Sequence, residues 1–80
     1  MTTPEGKPTI TAMWEAKATP GRDDELLAHV LAHAAPSAEV YRSADGRVVV
    51  IDPTGAGVPD TPEELTARPP HVWRFERVQR

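Results

Sequence analysis

Between Ile10 and Ala18 apolar and polar positions alternate. Ile10, Ala12, Trp14, Ala16 and Ala18 fall on one face, and Thr11, Met13, Glu15 and Lys17 on the other, the period of a strand with one apolar face. Thr19-Pro20-Gly21 breaks that pattern. Asp23, Asp24 and Glu25 then put negative charge where the first N–H groups of a helix lack partners, so a helix is expected from about Arg22 to Ala34, ended by Pro36. Leu27, Val30, Leu31 and Ala34 are its expected buried stripe. Ala38 to Arg42 reads as a second strand and Ser43-Ala44-Asp45-Gly46 as a hairpin turn with Gly46 at positive φ. Arg47 to Asp52 is a third strand. Its run Val48-Val49-Val50-Ile51 does not alternate, which predicts cover on both faces. A Pro- and Gly-rich loop spans 53–60. Thr61-Pro62-Glu63-Glu64 has the form of a capped helix start, with Thr61 as cap and Glu64 completing a capping box. Pro69-Pro70 keeps that helix short. His71 to Val78 is the fourth strand, with His71, Trp73 and Phe75 on one face and Val72, Arg74, Glu76 and Val78 on the other.

The order β-α-β-β-α-β predicts an α+β domain of the ferredoxin-like kind: a four-stranded antiparallel sheet with one long and one short helix on one face. Residues 1–8 read as a flexible N-terminal tail, and 9–80 as a single domain. One long helix is too little to cover four strands, and a second copy of the sheet would cover strand three. A sheet-to-sheet homodimer is therefore expected, with a monomer whose N-terminal tail or 53–60 loop folds over the open face as the alternative.

Eighty residues without cysteine leave neither disulfides nor thiolate metal sites to stabilise a small core. The net charge of -3 argues against nucleic acid as a main partner. No apolar run is long enough for a membrane span, and the N-terminus lacks the form of a signal peptide, so a cytoplasmic protein with no membrane partner is expected. Arginine in preference to lysine, with frequent Ala and Pro, reads as a genome composition bias of bacterial type.

The strand-one junction Pro20-Gly21-Arg22 with Asp23-Asp24-Glu25-Leu26-Leu27, the Val40-Tyr41-Arg42-Ser43 strand, the Asp45-Gly46 turn and the Val48-Val49-Val50 strand together resemble antibiotic-biosynthesis-monooxygenase-like members of the dimeric α+β-barrel superfamily. The resemblance implies a homodimer with a cavity between sheet and helices. Some such proteins oxidise polyketide-derived aromatics without a cofactor; others open haem with an Asn, a Trp and a His. This chain contains no asparagine and has Asp52-Pro53-Thr54 where a tryptophan often follows strand three, so the haem chemistry is not carried over.

With no cofactor expected, an aromatic or quinone-like substrate would have to be deprotonated to an anion that reacts with oxygen. His71 is the candidate general base. Tyr41, Arg42 or Arg74 could remove or stabilise the charge. Trp14, Trp73 and Arg74 are the candidate ligand-binding residues, provided both indoles lie on the helix-covered face. Packing of a small core, with the alanines making room for the indoles, is the preferred account of the two tryptophans. His29 and His33 stand one helical turn apart, a spacing that can hold zinc, but a third ligand is not specified, and no metal site is expected. Gly55-Ala56-Gly57 is too short for a phosphate loop and reads as a flexible loop or lid. Neither a Ser-His-Asp arrangement nor a convincing carboxylate pair is present. The two functions left standing are a dimeric binder of an aromatic small molecule and a non-catalytic dimeric accessory or regulatory module.

Overall fold

The computed structural model describes residues 9–80. The expected flexible tail, 1–8, lies outside them. Strand β1 (Ile10–Lys17) leads into helix α1 (Asp23–His33), followed by β2 (Glu39–Arg42), β3 (Arg47–Asp52), a 3-10 turn (Glu63–Leu65) and β4 (His71–Glu76). The strands form one antiparallel four-stranded sheet in the order β2-β3-β1-β4, and α1 is the one α-helix among the described residues. The chain is thus an α+β fold.

The strand predictions hold to within a residue or two at each end. The hairpin forms around Ser43, whose N–H donates to the Arg47 carbonyl at 2.9 Å and whose Oγ accepts from the Arg47 N–H at 3.1 Å. Gly46 takes φ +87, a backbone conformation that calls for glycine, and a Cβ there would sit 3.0 Å from the exposed Asp23 carboxylate. The helix packs through Leu26 and Val30, which are buried; Leu31 is 62% exposed. The expected stripe is therefore rotated, because α1 crosses the β1 and β3 side of the sheet on its Leu26–Val30 edge.

The second helix does not form. The 3-10 turn has Pro62 at its N-cap with no side-chain cap, and the Thr61 hydroxyl is buried without a hydrogen-bond partner, so the capping box is absent. The turn is instead tied to the end of β1. The Thr19 N–H donates to the Leu65 carbonyl at 2.9 Å, the Thr19 hydroxyl donates to the Glu64 carbonyl at 2.9 Å, and the Ala67 N–H donates to the Lys17 carbonyl at 2.9 Å. These tertiary bonds use groups that would otherwise face inward along a helix, and Pro69-Pro70 prevents its extension.

The core lies between the sheet and α1. Trp14, Ala16, Ala18, Leu26, Val30, Val48, Val50, Val58 and Leu65 are packed into one cluster. Val58 and Leu65 come from the segment that replaces the second helix. The 53–60 loop accordingly sends Val58 into the core on the helix side, with Gly57 buried beside it and Pro53, Thr54, Ala56, Pro59 and Asp60 exposed; it does not cover the open face as its composition suggested.

Asp52 organises that loop. It is fully buried, and its carboxylate accepts from the Thr54 N–H at 2.8 Å, the Thr54 hydroxyl at 2.6 Å and the Gly57 N–H at 2.9 Å. An Asp followed two residues later by Thr is a turn-forming pattern of the Asx type. Here it supplies one acceptor group to a loop whose own N–H groups would otherwise be buried without partners.

Candidate functional site

Side chains alternate along a strand, so the register decides what each face carries. On β1 and β3, Ala12, Trp14, Ala16, Val48, Val50 and Asp52 are buried toward α1. Trp14 lies opposite Val72, and Met13 lies opposite Trp73. The two indoles consequently point to opposite faces of the sheet. Trp14 is 2% exposed and Trp73 is 45% exposed. The expectation that both line one helix-covered cavity is corrected: a shift of the β1–β4 register by one residue would have been needed.

Arg74 lies opposite Ala12, on the same side as Trp14, and its Nε donates to the Gly55 carbonyl at 3.4 Å. Trp14, Trp73 and Arg74 do not converge on one site.

Among the described residues, no helix lies over the other face of the sheet. Its cross-strand rows follow from the pairing of Tyr41 with Val49, Val49 with Glu15 and Glu15 with His71, and of Glu39 with Ile51, Ile51 with Met13 and Met13 with Trp73. Phe75 adjoins Thr11 on the same face. Tyr41 and Phe75 are both 53% exposed. The result is an apolar, aromatic surface bordered by charge.

Structure brings together one group that sequence reasoning did not connect. The Glu15 carboxylate stands 3.5 Å from His71 Nδ1 and 3.1 Å from Arg47 Nε. The Arg47 approach is an ion contact without an aligned hydrogen bond, since neither Glu15 Oε2 nor Arg47 Nε has a hydrogen-bond partner. The His71 ring lies 5.6 Å from the Trp73 ring. The signal that could have shown this is the register itself, which no short turn between β1 and β4 announces.

His71 and Tyr41 share this face but stand at its two edges, with β3 and β1 between them. At about 4.8 Å per strand they are roughly 14 Å apart, too far to act on one bound proton. The Tyr41 hydroxyl donates to Glu39 Oε1 at 3.0 Å. That hydrogen bond, reinforced by the Glu39 charge and then by burial, raises the phenol above its ordinary range and opposes phenolate formation.

His29 and His33 stack at 4.2 Å, with His33 Nδ1 2.9 Å from the His29 carbonyl oxygen. Among the described residues, no group of three or more potential ligands is placed to hold a metal ion. No helix among them is long and apolar enough to cross a membrane. The surface clefts are shallow. One of about 320 Å³ lies between the start of α1 and the hairpin, lined by Asp23, Leu27, Arg42 and Val48; of the candidate site residues it holds Arg42 alone, apart from His71, Tyr41, Trp14, Trp73 and Arg74.

Fold and surface together define a small α+β domain with one buried hydrophobic cluster and, among the described residues, an aromatic sheet face without a helix over it. The chain matches no family model, no curated protein and no solved structure.

Proposed function

We propose that the protein is a non-catalytic accessory module on a ferredoxin-like scaffold whose working surface is the open sheet face, and that two copies pack those faces together. The observation that carries this reading is the placement of Trp73, Phe75 and Tyr41, with Met13, Val49 and Ile51, on the face that α1 leaves bare. A contiguous apolar face of this kind marks a contact surface. The strand order β2-β3-β1-β4 supports the scaffold, with the second helix reduced to a single 3-10 turn. The burial of Trp14 in the hydrophobic cluster, with Trp73 on the opposite face of the sheet, supports association over an aromatic ligand held between sheet and helix.

The test is the mass of the protein in solution, by light scattering on a sizing column. Val49 lies mid-sheet opposite Glu15, so Val49→Lys gives the new ammonium a carboxylate partner in a single copy yet puts charge into a face-to-face contact. Val49→Lys is expected to halve the associated mass with the fold intact by circular dichroism. A wild-type protein that is monomeric at all concentrations tested, or a mass that Val49→Lys leaves unchanged, sinks the reading.

A further inference from the structure

Edge strands are usually short, bulged, covered or otherwise protected from pairing. β2, at one edge, is only Glu39–Arg42; β4, at the other, runs from His71 to Glu76 with all six residues exposed. Among the described residues, no helix or strand covers either side of β4, and the 53–60 loop reaches it through the Arg74 Nε–Gly55 carbonyl contact alone. Trp73 and Phe75 lie on the open face, while Val72, on the helix side opposite Trp14, is still 41% exposed. The backbone direction also follows. The Arg77 N–H donates to the Thr9 carbonyl at 2.8 Å, so residue 77 and, by alternation, Phe75, Trp73 and His71 direct their backbone groups toward β1. Val72, Arg74 and Glu76 direct theirs out to the free edge.

The geometry points to β4 as a self-pairing edge: two copies join β4 to β4, antiparallel about a twofold axis, into one continuous eight-stranded sheet. The occupant is a second copy because the charges on this edge complement themselves. Matching faces restricts which residues of two identical strands can stand opposite one another. Centring the axis on Phe75 places Arg74 of each copy opposite Glu76 of the other, Val72 opposite Val78 and Trp73 opposite Arg77. Arg74 and Glu76 are then hydrogen-bonded partners through the outward backbone groups and ion pairs through their side chains. An axis at Arg74 sets Arg74 against itself, and one at Glu76 sets Glu76 against itself, both like-charge contacts. An axis at Trp73 leaves Glu76 opposite Pro70. The Phe75-centred register alone among these satisfies both charges. This contact uses the edge and leaves Val49, Tyr41 and Ile51 on the open face untouched, so it stands independently of face-to-face packing.

The experiment measures association by sedimentation equilibrium in the full chain carrying Val49→Lys, which removes the face contact. That protein is expected to remain a dimer. Arg74→Glu or Glu76→Arg, added singly, is expected to weaken the dimer about tenfold or more, because each sets two like-charge pairs across the twofold. The double exchange Arg74→Glu with Glu76→Arg is expected to restore it, which a merely structural role for either residue would not do. Val72→Pro removes an outward N–H that the isolated sheet does not use and is expected to give a folded monomer. A Val49→Lys protein that is monomeric, single reversals without effect, or a double exchange as weak as the singles overturns the inference. So does an edge that stays single in the pure protein and pairs only with an added extended peptide.

Discussion

Trp14→Ala is expected to cost the domain about 3–5 kcal/mol, the largest loss from any single substitution here. The indole is 2% exposed at the centre of the cluster formed with Leu26, Val30, Val50, Val58 and Leu65. It stands between small neighbours on its own strand, Ala12 and Ala16, which leave the space that it fills. Gly57 packs against it at ordinary contact distance: a Cβ there would lie 3.6 Å from the indole Cδ1. Truncation therefore loses the transfer free energy of a large side chain and leaves a cavity that backbone on one side and β-branched residues on the other are poorly placed to fill. A chain of this size holds on the order of 4–12 kcal/mol in all, so the variant is expected to be partly unfolded at room temperature. Urea titration followed by circular dichroism reads the loss as a lower midpoint. Fluorescence gives a second check, since Trp73→Phe leaves only the buried indole and should shift the emission to the blue. A Trp14→Ala cost below about 1 kcal/mol would show that the indole is not embedded as described.

The second large effect is expected at Asp52. Asp52→Ala removes the common acceptor of the Thr54 N–H, the Thr54 hydroxyl and the Gly57 N–H. Hydrogen bonds to a charged group contribute about 1.5–3 kcal/mol each, but they share one loop and are not additive, so a loss of about 3 kcal/mol is expected. The effect reaches the core because the same loop carries Val58 into the cluster around Trp14. The two sites are coupled, and the double substitution Trp14→Ala with Asp52→Ala is expected to cost less than the two singles added together.

Asp52 also gives a pH signature. Burial, the largest single influence, pushes its carboxyl upward; the Thr54 hydroxyl and the backbone N–H groups of Thr54, Gly57 and Ala56 together outweigh burial and hold the group below the ordinary carboxylate range. A folded-state value below the unfolded one means stability that is fully present above the unfolded pKa of about 3.9 and lost as pH falls through the folded value. The difference in stability between the wild type and Asp52→Asn is therefore expected to be constant near neutral pH and to shrink below about pH 4. Thermal unfolding of both proteins across that range measures it, and a gap that stays constant to lower pH would contradict an ionised, hydrogen-bonded Asp52.

The surface charges lend themselves to smaller effects. The Arg22 Nε–Glu25 contact at 2.6 Å joins two exposed side chains at the helix start, and exposed pairs of this kind contribute little. The Lys17–Asp45 contact, at 3.7 Å, is of the same class. Stability rests instead on Trp14 and on the Asp52 loop, and association on what the sheet leaves uncovered.

Much of the fold was legible in the residues. Alternation from Ile10 to Lys17 placed β1 and named its buried face correctly. Acidic residues after Pro20-Gly21 placed the start of α1. Ser43 to Gly46 placed the hairpin, because those signals act over a few residues through turn geometry, caps and side-chain period. The unbroken apolar run of β3 was read as needing cover on both faces; Val48 and Val50 are buried under α1, while Val49 and Ile51 are left to the open face. The second helix was misjudged. Thr61-Pro62-Glu63-Glu64 has the local form of a helix start, but hydrogen bonds from Thr19 and Ala67 tie that segment to the end of β1, and tertiary pairing overrides a short propensity.

The sequence by itself determined the four strands, the long helix and the identity of most core residues, because period and turn chemistry are local. Tertiary structure alone decided the candidate site. No short turn joins β1 to β4, and β4 has apolar residues on both of its faces, so its pattern does not specify a register. The observed pairing sets Met13 opposite Trp73, which parts Trp73 from Trp14, gathers His71 beside Glu15 and leaves the aromatic residues outside the core. A shift of one residue would have turned every side chain of β4 to the other face.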